Sequence, residues 1–196
     1  KNYKKRSIVY FFASQKIIMF LRYRTKGFLL KKEDQGEANQ LFTFFTEDFG
    51  KLEILGKGIR KISSKLRSGA ELFYLSEIEF VQGKTHKTLT DALTLEKFQN
   101  LREDLKRLSI AYRMSEVLDN LLSGEGPDES IWNLLMEVFQ KLDSFKTFDS
   151  QLIYHYFFWN LVSISGYKPE LYQCSLCQKK LKPEKLYFSQ REGGII

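Results

Sequence analysis

The hydrophobic period of this chain changes once, near residue 92, and that change limits the folds open to it. Before it, apolar residues come in short runs: RYRTKGFLLKK (22–32), NQLFTFFT (39–46), GKLEILGKG (50–58), ELFYLSEIEFV (71–81) and THKTLTDA (85–92). In the third run Leu52 and Ile54 alternate with Lys51 and Glu53, the two-residue period of a half-buried strand. The breaks fall at Gly36, Gly50, Gly56 and Gly58, Ser68-Gly69 and Gln82-Gly83. Gly50, between Phe49 and Lys51, reads as a hairpin glycine. Short strands with glycine-marked turns predict a small β-barrel.

After residue 92 the spacing is helical. Leu95, Phe98, Leu101, Leu105, Leu108, Tyr112 and Leu118 fall three, four or six apart. Asp91 or Thr94 is placed to cap this helix and Gly124 to end it. Pro127, with Asp128 and Glu129, marks the start of a second helix carrying Ile131, Leu134, Leu135, Val138, Phe139 and Leu142. A third, DSQLIYHYFFWNLVSISG, opens on Asp149 or Ser150 and closes at Gly166. It is apolar on nearly every face, so it is expected to be the buried central helix of a bundle, with His155 as a core histidine. The expected fold is α+β and multi-domain: a leader over 1–18, a barrel over 19–92 and a helical domain over 93–196 that ends in a cysteine-bearing segment, 172–196.

The chain has 196 residues, of which 43% are apolar and 15% aromatic, enough for a packed core and too many for a disordered chain. Two cysteines exclude a disulfide scaffold. No apolar run reaches the length of a transmembrane helix. The net charge of +7 is uneven. Residues 1–26 carry eight Lys and Arg and no acid, whereas the other 170 residues hold 23 basic and 24 acidic side chains. A local basic end of this kind points to a polyanion partner. The segment KNYKKRSIVYFFASQKII makes a poor signal peptide, because its apolar run is short and Gln15-Lys16 interrupts it. Met19 is read as the natural start.

Enzyme signatures are missing: no GxxxxGK[ST], GxGxxG, HExxH or GxSxG occurs. Asp34, Glu37, Glu47 and Asp48 lie on turns and read as solvated carboxylates, which disfavours a metal-dependent nuclease. The strongest functional pattern is GKGIRKISSKLRSG (56–69), which holds Lys57, Arg60, Lys61, Lys65 and Arg67, with Ser63 and Ser64 between them and no acid. Cations along a flexible track, with small hydroxyls and glycine backbone, are what phosphate recognition requires. A solvated basic loop is the alternative, but Arg22, Arg24 and Lys26 on the first strand favour a real patch. Tyr23, Phe28 or Phe42 are candidates for stacking on bases.

Cys174 and Cys177 form the only CxxC. It follows a helix and Gly166-Tyr167-Lys168-Pro169, not the strand-to-helix turn of a thioredoxin-like pair, which favours zinc over redox chemistry. Zinc ribbons repeat the pair after about 15–20 residues. Nineteen residues follow Cys177, among them LYFSQREGGII, a short strand and a Gly-Gly turn. The spacing therefore predicts half of a zinc site, with its partner ligands just past Ile196.

The stretch GFLLKKEDQGEANQLFTFFTEDFGKLEILGKGIRKISSKL resembles the N-terminal domain of the bacterial recombination-mediator family RecO. The matching parts are Gly36-Glu37, Leu41–Thr46, Gly50-Lys51 and the run from Lys57-Gly58 through Leu66. Gly166-Tyr167, Pro169, Leu171, Cys174, Cys177, Tyr187-Phe188-Ser189 and Gly193-Gly194 resemble that family's C-terminal region. The resemblance spans residues 22–196. It implies an OB-fold barrel followed by an all-α domain with a zinc module in many members. It also implies a non-catalytic, cytoplasmic, nucleoid-associated protein that binds single- and double-stranded DNA and anneals complementary strands. Such a protein acts with RecR and single-stranded-DNA-binding protein to load RecA. Lys57, Arg60, Lys61 and Lys65 match the family's basic loop. The competing expectation is a protein-interaction scaffold, with the helical domain gripping partners and the basic loop merely solvated.

Overall fold

A computed structural model describes the backbone of residues 7–13, 16–60, 65–122, 124–144, 150–182 and 185–196, and the side chains of these except 7–13, 16–20, 65, 67 and 150. The strands are β1 (Ser7–Ala13), β2 (Lys16–Gln35), β3 (Asn39–Thr46), β4 (Gly50–Gly56), β5 (Leu75–Gln82) and β6 (Lys87–Glu96), with a 3-10 turn at Lys65–Ser68 between β4 and β5. The helices are α1 (Gln99–Glu103), α2 (Leu105–Leu121), α3 (Glu129–Ser144) and α4 (Ser150–Ile164). A small hairpin of β7 (Phe188–Ser189) and β8 (Gly194–Ile195) follows.

Strand order in the main sheet is β1-β2-β3-β4-β6-β5, and β5 pairs back onto β2 from Phe28 to Arg22, which closes the barrel. All pairings are antiparallel except β4 with β6, which run parallel. Five strands closing in this order form an OB-like barrel, with β1 as an added hairpin on the end of β2. Leu29, Phe42, Phe44, Leu52, Ile54, Ile78, Phe80, Leu89 and Ala92 fill its interior. A register shift between Leu29 and Lys31 breaks the alternation of β2. Up to that shift the strand alternates regularly: Leu29 points into the barrel while its neighbours Phe28 and Leu30 join the core shared with the helices.

That shared core decides the architecture. Phe28, Leu30, Phe45, Phe73 and Leu75 from the barrel pack with Phe98, Leu101, Met114, Trp132, Leu135, Phe139 and Phe157 from the helical part. Phe28 is fully buried and meets Phe139 at 4.8 Å, Trp132 at 5.4 Å and Phe98 at 6.0 Å between ring centroids.

Three expectations need correction. The helical run expected from residue 93 starts later, because β6 stays paired with β5 up to Glu96. Phe98 then takes a left-handed backbone (φ 48°) that turns the chain and drops its ring into the shared core. The caps are Asp104 and Asp128: the Asp104 carboxylate accepts from the Lys106 and Arg107 amides, and that of Asp128 accepts from the Ile131 amide. Finally, α4 is not a central helix. It buries Ile153, Phe157 and Leu161, while Leu152, Tyr156 and Trp159 are exposed, and so is His155, which lies edge-on to Tyr154. A uniformly apolar sequence carries no period to say which face is covered.

Because barrel and helices share one apolar core, Phe28→Ala should destabilise both together, by about 3–5 kcal/mol. Urea unfolding followed by near-UV and far-UV circular dichroism should show one coincident transition. Two separated transitions would mean that the two parts fold independently.

Candidate nucleic-acid interface

The basic loop after β4 is docked on the β2–β3 turn. Gly36 and Gly58 both have positive φ, 70° and 64°, and reverse the chain at the two turns. The Gly58 amide donates to the Asn39 side-chain oxygen at 2.9 Å, and the Arg60 amide to the Ala38 carbonyl at 3.2 Å. Ile59, between them, is buried in the barrel and anchors the loop. Lys57 and Arg60 are left exposed. The Arg60 guanidinium lies 3.2 Å from the Asp34 carboxylate and 3.5 Å from the Gly36 carbonyl. Among the described residues Lys57 has no ion-pair partner. Lys61, Ser63 and Ser64 lie outside the described residues, as do the side chains of Lys65 and Arg67.

The first-strand cations are elsewhere. Arg22, Arg24 and Lys26 face outward on the part of β2 that pairs with β5, where Arg24 is directly opposite Glu79 and Lys26 opposite Glu77. Arg22 reaches Glu79 at 3.3 Å. Arg24 holds Glu79 through both its Nε, at 2.8 Å, and a terminal nitrogen, and reaches Glu77 at 3.4 Å. Lys26 lies 3.8 Å from Glu47. The Glu79 carboxylate, then Glu77, pushes the Arg24 guanidinium above its usual value. A segment that is purely basic in sequence is thus interleaved with carboxylates from β5 and from the β3–β4 turn. The structure does not bring these three cations to the basic loop: Arg60 contacts Asp34 at the far end of β2, ten residues beyond Arg24.

A groove of about 470 Å³ runs over the outer face of β3 and β4, with Leu41 and Leu55 as its apolar floor. Gln35 lines it at the β2–β3 turn, Gln82, Thr85, His86 and Lys87 at the β5–β6 turn, and Lys51, Glu53, Gly124 and Glu125 complete its walls. The groove and the basic loop meet at the β2–β3 turn, where Asp34 carries Arg60 and the next residue, Gln35, lines the groove. The outward-facing Lys51 and Glu53 were legible in the alternation of β4, but the contribution of Lys87 and His86 depends on barrel closure and had no sequence signal.

The three stacking candidates are corrected. Phe28 and Phe42 are fully buried. Tyr23 is already stacked on Phe80, with centroids 5.3 Å apart and planes at 18°, and meets Phe49 edge-on. Phe28 and Phe42 therefore offer no ring face to a base, and Phe80 takes one face of Tyr23.

The cysteines sit in a tight turn closed by the Gln173–Lys180 bridge. The Cys174 amide donates to the Lys179 carbonyl at 2.9 Å, and the Gln178 amide to the Cys174 carbonyl at 2.8 Å. Backbone N–H groups of Cys177 and then Leu176, together with the Cys177 thiol, hold the Cys174 thiol below the usual cysteine range. Donors aimed at sulfur favour the thiolate that a metal needs, so the turn suits one half of a tetrahedral zinc site. The strand β8 packs on the turn, with the Ser175 amide donating to the Ile195 carbonyl at 2.8 Å. Among the described residues no three His, Cys, Asp or Glu side chains converge to hold a metal ion.

Family comparisons fit this architecture. Residues 19–98 match the family model described as Recombination protein O N terminal, and residues 102–195 match Recombination protein O C terminal. A DNA repair protein RecO from Dehalococcoides mccartyi is 34% identical over 174 residues, covering 89% of this chain and 68% of that protein. Another from Moorella thermoacetica is 34% identical over 175 residues, covering 89% of this chain and 64% of that protein. The chain belongs to the RecO family. Its barrel is the RecO N-terminal domain and its helices, with the cysteine turn, the RecO C-terminal region. Among the described residues no helix is long and apolar enough to cross a membrane.

With two thiolates available from this turn, the 196-residue chain grown with zinc should contain well under one zinc per chain by inductively coupled plasma mass spectrometry. Near-stoichiometric zinc, lost in Cys174→Ser, would mean that further ligands join the pair.

Proposed function

We propose that this RecO-family chain is a non-catalytic nucleic-acid binding protein that holds single- and double-stranded DNA on the barrel and anneals complementary strands. The observation that carries the reading is the basic loop: Lys57 and Arg60 stand exposed on a buried anchor, Ile59, next to an open groove with an apolar floor. Cations fixed on a rigid element bind phosphates at low entropic cost, and each phosphate neutralised adds to the salt dependence of binding. Lys61, Lys65 and Arg67 extend the track in sequence. Arg22, Arg24 and Lys26 contribute only where a phosphate replaces Glu77, Glu79 or Glu47 as their counter-ion.

The wider role follows the resemblance: repair in the cytoplasm, at the nucleoid, with RecR and single-stranded-DNA-binding protein, in the loading of RecA. Zinc, if held, would brace the Cys174–Cys177 turn and take no part in chemistry. The scaffold reading has an observation of its own, the exposed apolar face of α4 at Leu152, Tyr156 and Trp159. The two readings differ on the basic loop, which binds phosphate in the first and is merely solvated in the second.

The charge-reversed variant Lys57→Glu/Arg60→Glu should weaken binding to a single-stranded oligonucleotide at least ten-fold and abolish annealing, with an unchanged circular dichroism spectrum. The slope of log K against log salt should fall by roughly 1–2, at about 0.7 per single-strand phosphate lost. Unchanged affinity, or binding that is weak and flat with salt in the wild type, would favour the scaffold reading.

A further inference from the structure

The groove over β3 and β4 is crossed at one end by the loop between α2 and α3. Opposed pairs along its outer face are Leu41–Leu55, Thr43–Glu53 and Phe45–Lys51. At one end Phe45 is buried under the helices, while at the other Leu41 and Leu55 line the open groove. At the Phe45 end the loop is pinned to the β3–β4 turn. The Gly126 amide donates to the Phe49 carbonyl at 3.0 Å, and Glu125 forms a bridge with Gly50. The approach is close: a Cβ on Gly50, whose φ is 66°, would stand 2.0 Å from the Gly126 carbonyl oxygen.

Two lysines face this loop, and they are held differently. Lys51 donates to the Asp119 and Leu122 carbonyls at 2.7 and 3.2 Å and pairs with the Asp119 carboxylate at 2.6 Å. It closes the end of α2 and its three donors are used. Lys87, by contrast, has one described partner, the Glu125 carboxylate. The side chain of Lys87 is 16% exposed, whereas that of Glu125 is 57% exposed. A nearly enclosed cation on a barrel strand is thus neutralised by a solvent-facing acid on a loop. Glu125 stands between Gly124 and Gly126, and at neither glycine would a Cβ meet any atom within 4 Å. Gly124 has a left-handed backbone (φ 88°) that favours glycine, and Gly126 is tied to Phe49, so the loop backbone is held while the Glu125 side chain reaches Lys87.

Resting on the reading of this chain as a nucleic-acid binder, we propose that Lys87 is a phosphate subsite of the groove and that Glu125 is the internal carboxylate that occupies it. A strand enters the groove by exchanging its phosphodiester for Glu125. The apolar floor of Leu41 and Leu55 then lies beside the sugar and base of that nucleotide. The loop sets a threshold for entry without taking part in binding.

The test uses the 196-residue chain and a fluorescent 20-nucleotide oligo-dT read by anisotropy at low salt. Glu125→Gln removes the competing charge with little change of shape and should tighten binding several-fold. Lys87→Gln should weaken binding, and in the double variant the gain from Glu125→Gln should vanish. Glu116→Gln, an exposed acid on α2, controls for the loss of one negative charge and should change affinity by less than two-fold. Binding by wild type together with equal affinity for Glu125→Gln overturns the subsite and leaves the nucleic-acid reading standing. So does a gain that persists in the Lys87→Gln background or is matched by Glu116→Gln. Wild type that fails to bind at all removes both.

Discussion

The contact between Phe28 and the ring cluster of Phe98, Trp132 and Phe139 is the constraint from which the rest of the molecule follows. It places a residue of the first barrel strand inside the helical core, so the two parts cannot be separated without exposing large aromatic surfaces to water. Ordinary strand alternation makes this possible, with Phe28 and Leu30 on the outer face of β2 and Leu29 on the inner one. With the helices fixed there, one end of the outer face of β3 and β4 is covered and the other is left as a groove. The position of the groove, and of the α2–α3 loop beside it, is a result of packing and not of local sequence.

Charge in this protein is organised by pairing, across the sheet, along a strand and between the barrel and the helical part. Arg22 and Arg24 meet Glu79, Lys31 meets Glu33 and Asp119, Lys51 meets Asp119, and Lys87 meets Glu125. Exposed pairs of this kind add little to stability. What they do is hold these cations against carboxylates, whereas Lys57 is exposed with no ion-pair partner among the described residues. Asp119 shows the same logic at a more enclosed position: hydrogen bonding to Lys51 holds its carboxyl below the usual range, against a partial opposing effect of burial.

Much of the barrel was legible in the sequence. Phe42 and Phe44 alternate with Thr43, Leu52 and Ile54 alternate with Glu53, and the glycines mark the turns, because a strand with one face buried writes its period into the chain. The basic loop was legible for the same reason, as a run of cations without acids. What escaped was everything that depends on partners distant in sequence. The neutralisation of Arg24 requires Glu79 opposite it, the loss of Phe28 and Phe42 as stacking faces requires knowing which way each points, and the exposure of α4 requires knowing where the bundle ends. Phe98 escaped because a buried ring can hold its backbone in a left-handed conformation that no propensity for phenylalanine would suggest.

The parallel ladder between β4 and β6 has only two rungs, Ile54–Lys87 and Leu55–Thr88. Beyond them β4 runs on to Gly50 with no described strand partner on that side, and the bridge from Gly50 to Glu125 stands in its place. The α2–α3 loop is therefore also the cover of a strand edge. Unshielded strand edges are templates for pairing with another chain. Because Glu125 both lines the groove and bridges Gly50, the groove wall and the guard of that strand edge are one and the same stretch of chain.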